Sequence, residues 1–584
     1  GVADLGSIRT ITANCKDCYK CVRYCPMKAI RVADGHAEII DGLCVGCGTC
    51  VRMCPQGAKQ VADSKGAVTE LLASGAQVVL SVAPSFVASF TDASAASFAA
   101  AAGKLGFSEV FETAEAAQYV ARRSLEMVDH CASPAIATSC PVVVNLVERY
   151  YHHLLDHLVP VASPMVTDGR MIKSCKGPDV KVVFAGPCIA KKDEAARAET
   201  LGAIDAVLTF EELRDMFEQA GIDPADTTDD TTDDATGDTG VASGHYPGSA
   251  RLFPLEGGMM ATAGVSSEMI GGPDLCVTGM DNVIALLDNL HRQKGVRLVE
   301  IMACSGGCIE GPGVSSEIDA WSKKRMVMEY AQQSTAGLAD TGLPPPSPAL
   351  LEVGFARREV DLPEPTEEDI RAILARTDKF SPSDELNCGA CGYDSCRQKA
   401  IAVFRGLAEV EMCIPYMRER AESMSNLIIS TTPNGVVVVG SDLTIVSVNP
   451  AFEQIFGVKA DDCLGQDIGK LMDPAPFGQV FSTREPVRTD EAHLGGSLIT
   501  SQLLFYVSVR DVVVALVNDM TSDYNRGRAI QKAREETLEK AGRVIDRQMR
   551  VAQEIAGLLG ETTAETKLLL TQLIRQMQDE ELDE

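Results

Sequence analysis

Two cysteine runs near the start of the chain, CKDCYKCVRYCP at residues 15–26 and CVGCGTCVRMCP at residues 44–55, decide how this region folds. In each run two residues separate three successive cysteines, and a fourth cysteine follows directly before proline. Three thiolates at this spacing wrap one face of a [4Fe–4S] cube, and the fourth reaches the other cube. We therefore predict two clusters, one held by Cys15, Cys18, Cys21 and Cys54 and the other by Cys44, Cys47, Cys50 and Cys25. Zinc is the alternative to iron–sulfur clusters, although zinc sites do not require three evenly spaced cysteines followed by Cys-Pro in two successive runs.

Composition and charge also indicate an iron–sulfur protein. The chain has 20 cysteines among 584 residues and a formal net charge of -29. Cysteines that stand in tight groups with long gaps between them are typical of metal sites in a reducing compartment, so we expect a cytoplasmic metalloprotein. An acidic protein repels nucleic acid, which we exclude as a partner. No run of about 18 apolar residues is present, so we expect no membrane span.

Hydrophobic patterning divides the chain into several domains. In the centre, strand-like runs such as Val78–Val82 and Arg297–Met302 alternate with helical runs such as Asn282–Gln293, which predicts α/β layering. The fold class we expect is multidomain α/β and α+β. The predicted parts are a two-cluster domain at 1–66, an α/β domain at 67–358 with an Asp/Thr-rich surface insertion at 222–240, a four-cysteine module at 359–424, an alternating-strand domain at 425–521 and an amphipathic or coiled-coil helix at 522–584.

Three further cysteine motifs lie far apart in the central part. They are ATSCP at 137–141, GPCIAKKDE at 186–194 and EIMACSGGC at 300–308. Four cysteines from three loops can converge on one cubane, and glycines between the last two let the backbone approach a metal closely. Taken singly, Cys140 and Cys188 would be better interpreted as buried core cysteines.

In order, spacing and neighbours, these motifs resemble the active-site signatures of [FeFe]-hydrogenases, as does SVAPS at 81–85, and the runs at 15–55 resemble bacterial two-cluster ferredoxins. The resemblance to the hydrogenases covers about residues 1–420. It implies an H-cluster, in which a [4Fe–4S] cubane is held by Cys140, Cys188, Cys304 and Cys308. It further implies that Cys308 bridges to a two-iron subcluster bearing CO, cyanide and azadithiolate, and that Lys191 hydrogen-bonds a cyanide. The pocket residues it implies are Ala83, Pro84, Ser85, Pro187, Lys191, Glu194 and Met302.

The sequence departs from the fast members of that family at positions that carry protons. Ser139 stands where those members have a cysteine that passes protons to the bridgehead amine, and a hydroxyl is a much poorer proton donor and acceptor than a thiol. At other positions this chain also differs from the fast members. Arg122 and Arg123 stand where those members have acidic residues, Val159 stands where they have a serine, and Gly186 stands where they have a methionine. These departures resemble the sensory group of the family and predict slow turnover. Cys131 is an alternative proton carrier, although a core cysteine is the simpler interpretation.

Two more modules follow the central part. Cys388, Cys391, Cys396 and Cys413 resemble the ligands of a small [4Fe–4S] module, with zinc as the alternative. Residues 425–521 resemble a PAS domain, because the run NPAF beginning at Asn449 caps and opens a helix after the second strand. Nothing in this part demands a haem or flavin, so His493 and Cys463 are interpreted as ordinary residues.

These resemblances predict a ferredoxin-type [FeFe]-hydrogenase, an oxidoreductase that interconverts H2 with protons and electrons slowly and senses H2 or redox state through the PAS domain and C-terminal helix. The predicted catalytic residues are Ser139, Lys191 and Cys308. We expect three [4Fe–4S] clusters beside the H-cluster, an electron carrier such as ferredoxin, a homodimer, and a separate signalling kinase or phosphatase. The alternative is a catalytically silent iron–sulfur electron-transfer or scaffold protein of the same fold.

Overall fold

The computed structural model describes residues 6–226, 241–242, 248–265, 273–314, 317–333, 343–360, 362–493, 497–559 and 564–579. The chain divides into two compact units, Gly1–Tyr416 and Met417–Glu584. The predicted multidomain α/β and α+β class is confirmed. Most of the predicted Asp/Thr-rich insertion, residues 227–240, lies outside the described residues.

The N-terminal module repeats one short pattern at an interval of 29 residues. Asp17 and Tyr19 have positive φ, and Gly46 and Gly48 have positive φ at the matching positions of the second copy. Backbone turns of this kind point successive N–H groups into a concave surface that suits anions. The elements of the module are the helices Lys20–Tyr24 and Thr49–Met53 and the antiparallel strand pairs Ile8–Thr10 with Lys59–Val61 and Ile30–Ala33 with His36–Ile39.

A parallel five-stranded sheet organises the central domain. Its middle strand, Val78–Val82, is buried along its whole length, as expected for a strand covered on both faces. The strand order across the sheet is Val241–Ala242, Glu109–Glu112, Val78–Val82, Lys181–Gly186 and Ala206–Thr209. The direction of the chain across the sheet reverses beside Val78–Val82. In α/β proteins ligands bind at such a reversal, beyond the carboxyl ends of the strands.

A second parallel sheet stands in the same domain, with the order Asp274–Thr278, Leu298–Met302 and Ala135–Ile136. The strand predicted at Arg297–Met302 is therefore present, and the predicted helix at Asn282–Gln293 is observed as Met280–Asp288 followed by a 3-10 turn at Leu290–Arg292. The helices of the domain are Lys65–Ala73, Ala95–Leu105, Ala114–Met127, Pro141–Tyr150, Pro164–Lys176, Ala190–Ala196, Phe210–Ala220, Gly258–Thr262, Met280–Asp288, Ala320–Gln332 and Pro348–Leu351.

The four-cysteine module is a small helical unit that packs on the N-terminal module. Its two helices, Glu367–Ala375 and Cys396–Phe404, bury a few apolar side chains against each other. Lys28 Nζ of the N-terminal module donates to Gly392 O at 2.9 Å, and Arg23 Nη2 donates to Ala390 O at 3.1 Å. These bonds join the two modules within the first unit.

The second unit contains an antiparallel five-stranded sheet of PAS type. The helix Ile414–Thr431 leads into it, and its sheet has the order Ile445–Val448, Gly435–Gly440, Val512–Asp519, Leu498–Val507 and Val487–His493. The edge strand Val487–His493 was not predicted, because its sequence VRTDEAH lacks an apolar alternation. The helices on the sheet are Pro450–Phe456, Ala460–Cys463 and Ala475–Thr483.

Two helices, Thr521–Leu559 and Ala564–Asp579, occupy the predicted C-terminal helical region. In the first of them Ile530, Val544, Val551 and Ile555 remain largely exposed. None of the described helices combines the length and apolarity needed to cross a membrane.

Asn449 provides a test of the PAS fold. Its Oδ1 accepts hydrogen bonds from Phe452 N and Val436 N, and its Nδ2 donates to Ile429 O and Asn434 O, while the side chain is 2% exposed. Asn449→Ala leaves these buried groups unpaired and should cost about 2–4 kcal/mol. Hydrogen exchange of the full chain should then accelerate across 435–517. Unchanged protection in Asn449→Ala would contradict this account.

Candidate active site

A cavity of about 100 Å³ lies where strands of the two parallel sheets end. Its walls include Ala83–Ser85, Thr113, Ser139–Cys140 and Pro187–Cys188, which come shortly after four different strands. Parallel strands present their carboxyl ends at one edge, so segments distant in sequence meet there. The motifs singled out in the sequence thus share one cavity.

The four central cysteines come together at this cavity. Cys140, Cys188 and Cys308 line it, and the Cys304 thiol interacts with all three. Burial raises the pKa of Cys188 to about 12, and the neighbouring Cys140 adds to the shift. Burial and the same neighbours raise the pKa of Cys304 and Cys308 as well. Thiols with such raised pKa values become thiolates near neutral pH only when a cationic group shares them, which is the condition that an iron–sulfur cluster provides.

Among the described residues, no three His, Cys, Asp or Glu side chains approach closely enough to share a single metal ion. The thiolates that hold a cubane each bind a different iron atom, so they stand further apart than the ligands of one ion. The backbone nevertheless comes close to this group. Gly307 has a φ of 101°, and a Cβ there would lie 2.5 Å from Pro254 O.

Hydrogen-bond donors are present on the wall of the cavity. Lys191 Nζ donates to Glu194 Oε2 at 2.6 Å and to Ser139 O at 3.3 Å. The Ser85 hydroxyl is buried, and it has no hydrogen-bond partner within the described part of the chain. An ammonium group and an unused hydroxyl suit a ligand that carries negative charge at its edge. The cavity therefore fits the two-iron group with cyanide ligands that the sequence resemblance implies.

The predicted pocket residues divide into two sets. Six of the seven line the cavity, and they are Ala83, Pro84, Ser85, Pro187, Lys191 and Met302. Glu194 stands behind Lys191 and holds its ammonium group in place. Gly186 contributes no side chain, and a Cβ there would meet the Phe184 ring at 2.6 Å. Phe184 itself lines the cavity, so it occupies space near the position of the missing methionine.

The other residues that the sequence analysis connected with proton transfer lie away from the cavity. Arg122 is exposed, and Arg123 pairs with Glu126 and Glu352. Val159 is fully buried, and the Cys131 thiol donates to Met127 O at 3.4 Å. As far as the structure describes the chain, none of these side chains lines the cavity, whereas Ser139 does.

Glu300 is a cavity residue that the sequence did not reveal. Its carboxylate accepts hydrogen bonds from Met259 N and Met260 N, each at 3.1 Å. Burial raises its pKa to about 7, against the lowering effect of these N–H groups, and Glu256 adds to the rise. A carboxyl group with a pKa near neutrality can accept and release protons at physiological pH. Glu300 is the first residue of the recognised motif EIMACSGGC, but the spacing of the motif predicted no role for this glutamate.

In the N-terminal module, Cys25 joins Cys44, Cys47 and Cys50 around a small cavity. Burial raises the pKa of Cys25 to about 11, and Cys47 adds to the shift. The fourth cysteine of the first run therefore stands with the second run.

The other group of this module is more exposed. Burial raises the pKa of Cys21, and Cys15 and Cys18 add to the shift. Although burial acts to raise the pKa of Cys54, backbone N–H groups and Lys59 lower it. Lys59 also lowers the pKa of Cys21, so one buried ammonium group serves both runs.

The C-terminal cysteines also line one small cavity, formed by Cys388, Cys391, Cys396 and Cys413. Two buried lysines lie beside them. Lys379 Nζ donates to Thr377 O at 2.8 Å and to Cys413 Sγ at 3.5 Å, and Lys399 Nζ donates to Val410 O at 2.7 Å. Burial lowers the pKa of Lys399, whereas Cys413 and Cys391 raise it. Cations in this position offset the negative charge of a thiolate-bound cluster.

Four known families match successive parts of the chain. Residues 14–61 match the 4Fe-4S dicluster domain, and residues 76–312 match the C-terminal domain of the iron only hydrogenase large subunit. Residues 384–415 match an Fe-S cluster family, and residues 424–513 match the PAS fold.

Individual relatives are similar to the hydrogenase part of the chain. The periplasmic [Fe] hydrogenase large subunit of Nitratidesulfovibrio vulgaris is 29% identical over 40% of this chain and 69% of its own length. Iron hydrogenase 1 of Clostridium pasteurianum is 27% identical over 36% of this chain and 44% of its own. The solved structure of the [FeFe]-hydrogenase HydA1 from Chlamydomonas reinhardtii covers 51% of this chain and 100% of its own at 19% identity, with a TM-score of 0.40. The chain thus spans less than half of the second relative.

The cysteine groups can be tested separately. Cys396→Ala should remove about four iron atoms per chain, because a [4Fe–4S] cube held by three thiolates is labile. Cys175→Ala, at an exposed cysteine outside all four groups, should leave the iron content unchanged. Iron and acid-labile sulfide are measured on the purified full chain. Loss of one zinc atom instead of iron and sulfide would favour the zinc alternative.

Proposed function

We propose that this chain is a slow [FeFe]-hydrogenase that senses H2 or redox state. It combines the C-terminal domain of the iron only hydrogenase large subunit with iron–sulfur modules and a PAS fold. The observation that carries the proposal is the shared cavity, which brings four partly buried cysteines together with Lys191 and the unpaired Ser85 hydroxyl. A cubane needs only the cysteines, whereas the two polar groups suit a second, anionic group beside it.

The residues present would hold the H-cluster as follows. Cys140, Cys188, Cys304 and Cys308 would bind the cubane, and Cys308 would also bind the two-iron subcluster with its CO, cyanide and azadithiolate ligands. When bound, that group supplies an open iron and a bridgehead amine for heterolytic cleavage of H2. Lys191 would donate to a cyanide while Glu194 fixes the position of its ammonium group. Three further [4Fe–4S] clusters would occupy the other cysteine groups.

The slow rate follows from the proton-carrying groups of the wall. Ser139 offers a hydroxyl, which is a weak acid and a weak base near neutral pH. Glu300 is the titratable group of the wall whose pKa lies near 7. We assign to it the exchange of protons between the cavity and the surrounding protein. Catalysis through one carboxyl group without a thiol fits a role in detection better than rapid production.

The sensing role rests on the domains that accompany the cavity. A PAS fold and an extended C-terminal helix are parts from which two-state signalling elements are built. The exposed apolar side chains of the helix Thr521–Leu559 suit a second copy of the chain, so we propose a homodimer. A separate kinase or phosphatase would read the signal, an electron carrier such as ferredoxin would exchange electrons, and the protein would work in the cytoplasm.

Infrared spectroscopy of the full chain, loaded with the two-iron cofactor, tests the proposal. Bands of iron-bound CO and cyanide should appear and should shift under H2, and Lys191→Met should weaken retention of the cofactor. Glu194→Gln keeps the shape of the side chain and serves as the milder variant. If the cubanes are fully loaded and no such bands appear, the protein is the catalytically silent iron–sulfur scaffold.

Glu300→Gln should lower H2 oxidation by about 100-fold or more, because general acid–base catalysis contributes roughly 10²–10⁴-fold. In the unaltered protein the carboxyl group must be ionised to accept a proton, so the rate should rise with pH through about 7. The variant should lose this dependence on pH, whereas Ser139→Ala should keep it, because the carboxyl group of Glu300 is unchanged in that variant. H2 uptake with an artificial electron acceptor measures the rate and its dependence on pH in the parent and in each variant. A pH profile that Glu300→Gln leaves intact would refute the assignment.

A further inference from the structure

A buried carboxyl group, Asp168, lies close to the cavity without belonging to its wall. It stands on the helix Pro164–Lys176, whose residues Pro164 and Met165 line the cavity. Asp168 is fully buried, and its Oδ1 has no hydrogen-bond partner among the residues that the structure describes. An acidic group in this state is costly unless it is protonated or changes its protonation in use.

Two hydroxyl groups connect Asp168 to the cavity. Ser81 Oγ donates to Asp168 Oδ2 at 2.6 Å, and Ser81 Oγ lies 3.1 Å from Thr113 Oγ1. Thr113 lines the cavity and donates to Val82 O at 3.0 Å. Asp168, Ser81 and Thr113 are each at most 4% exposed, so water does not intervene from the surface. The three side chains form one continuous row from the cavity to the carboxyl group.

The hydrogen-bond roles in this row can be satisfied in two ways. When Asp168 is ionised, Ser81 donates to it and Thr113 donates to Val82 O. When Asp168 is protonated, it can donate to Ser81 Oγ, which then donates to Thr113 Oγ1, while Thr113 keeps its bond to Val82 O. Both patterns leave the hydroxyl hydrogens paired, so a proton can shift without breaking the row.

The surroundings favour the neutral form of the carboxyl group. Burial raises the pKa of Asp168 to about 8, against the lowering effect of the Ser81 hydroxyl. The charged groups that add to the rise are Glu115 on the helix Ala114–Met127 and Glu112 at the end of its strand, and Glu112 pairs with Arg251. Protonation near neutral pH therefore requires little free energy. A purely structural bond to Ser81 would be made equally well by asparagine, which avoids the buried charge.

We propose that Thr113, Ser81 and Asp168 form a proton relay in which Asp168 stores a proton delivered from the cavity. A proton that reaches Thr113 Oγ1 takes over the bond to Val82 O, and the former hydroxyl hydrogen of Thr113 turns to Ser81 Oγ and is transferred to it. The hydrogen of Ser81 passes at the same time to Asp168 Oδ2. One proton leaves the cavity and one carboxylate becomes neutral, so charge and atoms balance. The proposal rests on the proposed function for the source of the proton under H2, but not for the relay itself.

The test uses infrared absorption of the protonated carboxyl group in the cluster-loaded full chain under argon. A step from high pH to pH about 7 should produce this band, and Asp168→Asn should abolish it. Thr113→Val, which has nearly the same shape, should keep the final amplitude but slow its appearance at least about 10-fold. Thr113→Ser restores the hydroxyl and should restore the rate. Equal rates in the parent and Thr113→Val, or a parent band that Asp168→Asn leaves intact, would overturn the proposal.

The same samples under H2 separate the relay from the proposed function. At a pH above the Asp168 pKa of about 8, where the carboxyl group is ionised under argon, H2 should increase the Asp168 band together with a shift of the CO and cyanide bands. If the metal-ligand bands shift and the carboxyl band does not, the storage role is refuted while the hydrogenase site stands. If the metal-ligand bands do not respond at all, the proposed function fails, and the pH step still decides whether the relay exists.

Discussion

Thiols that must become thiolates are enclosed at the centre of the first unit. Three of the four central cysteines have raised pKa values because burial and neighbouring thiols both oppose ionisation. Iron removes this penalty, since metal binding replaces the proton and neutralises the charge. The protein must therefore hold the thiols together before the cluster arrives. It does so with two parallel sheets whose carboxyl ends meet at one cavity.

The polar groups near the four central cysteines are of two kinds, hydrogen-bond donors and acids. Lys191 and Ser85 face the cavity as donors, whereas Glu300 and the row that leads to Asp168 offer sites for protons. The donors suit an anionic metal group, and the acids suit the proton that H2 cleavage releases. Both acids have pKa values raised by burial into the range where the cell can titrate them. Under the proposed function, a site with such acids but with Ser139 in place of a thiol would suit controlled proton movement rather than speed.

Sequence reasoning reached the parts that local spacing encodes. Each cysteine motif and the cap at Asn449 is recognisable from residues a few positions apart. The structure brings Cys25 to the second cysteine run, brings the central motifs to one cavity and forms the cap. Glu300, Phe184 and Asp168 were missed, because their roles arise from contacts between distant elements. Asp168 meets Ser81 across 87 residues, and no periodicity signals such a contact. The strand Val487–His493 was missed because an edge strand can be polar on both faces.

The most direct test of the hydrogenase assignment is isotope exchange, followed by mass spectrometry, with D2 supplied to the matured full chain in ordinary water. We expect steady formation of HD at a low rate, lost in Cys308→Ala and retained in Cys175→Ala. This result would show that the cavity cleaves the molecule and passes one product to solvent protons. Absence of HD from a sample whose infrared spectrum shows the complete cofactor would refute the assignment of the cavity as a hydrogenase site.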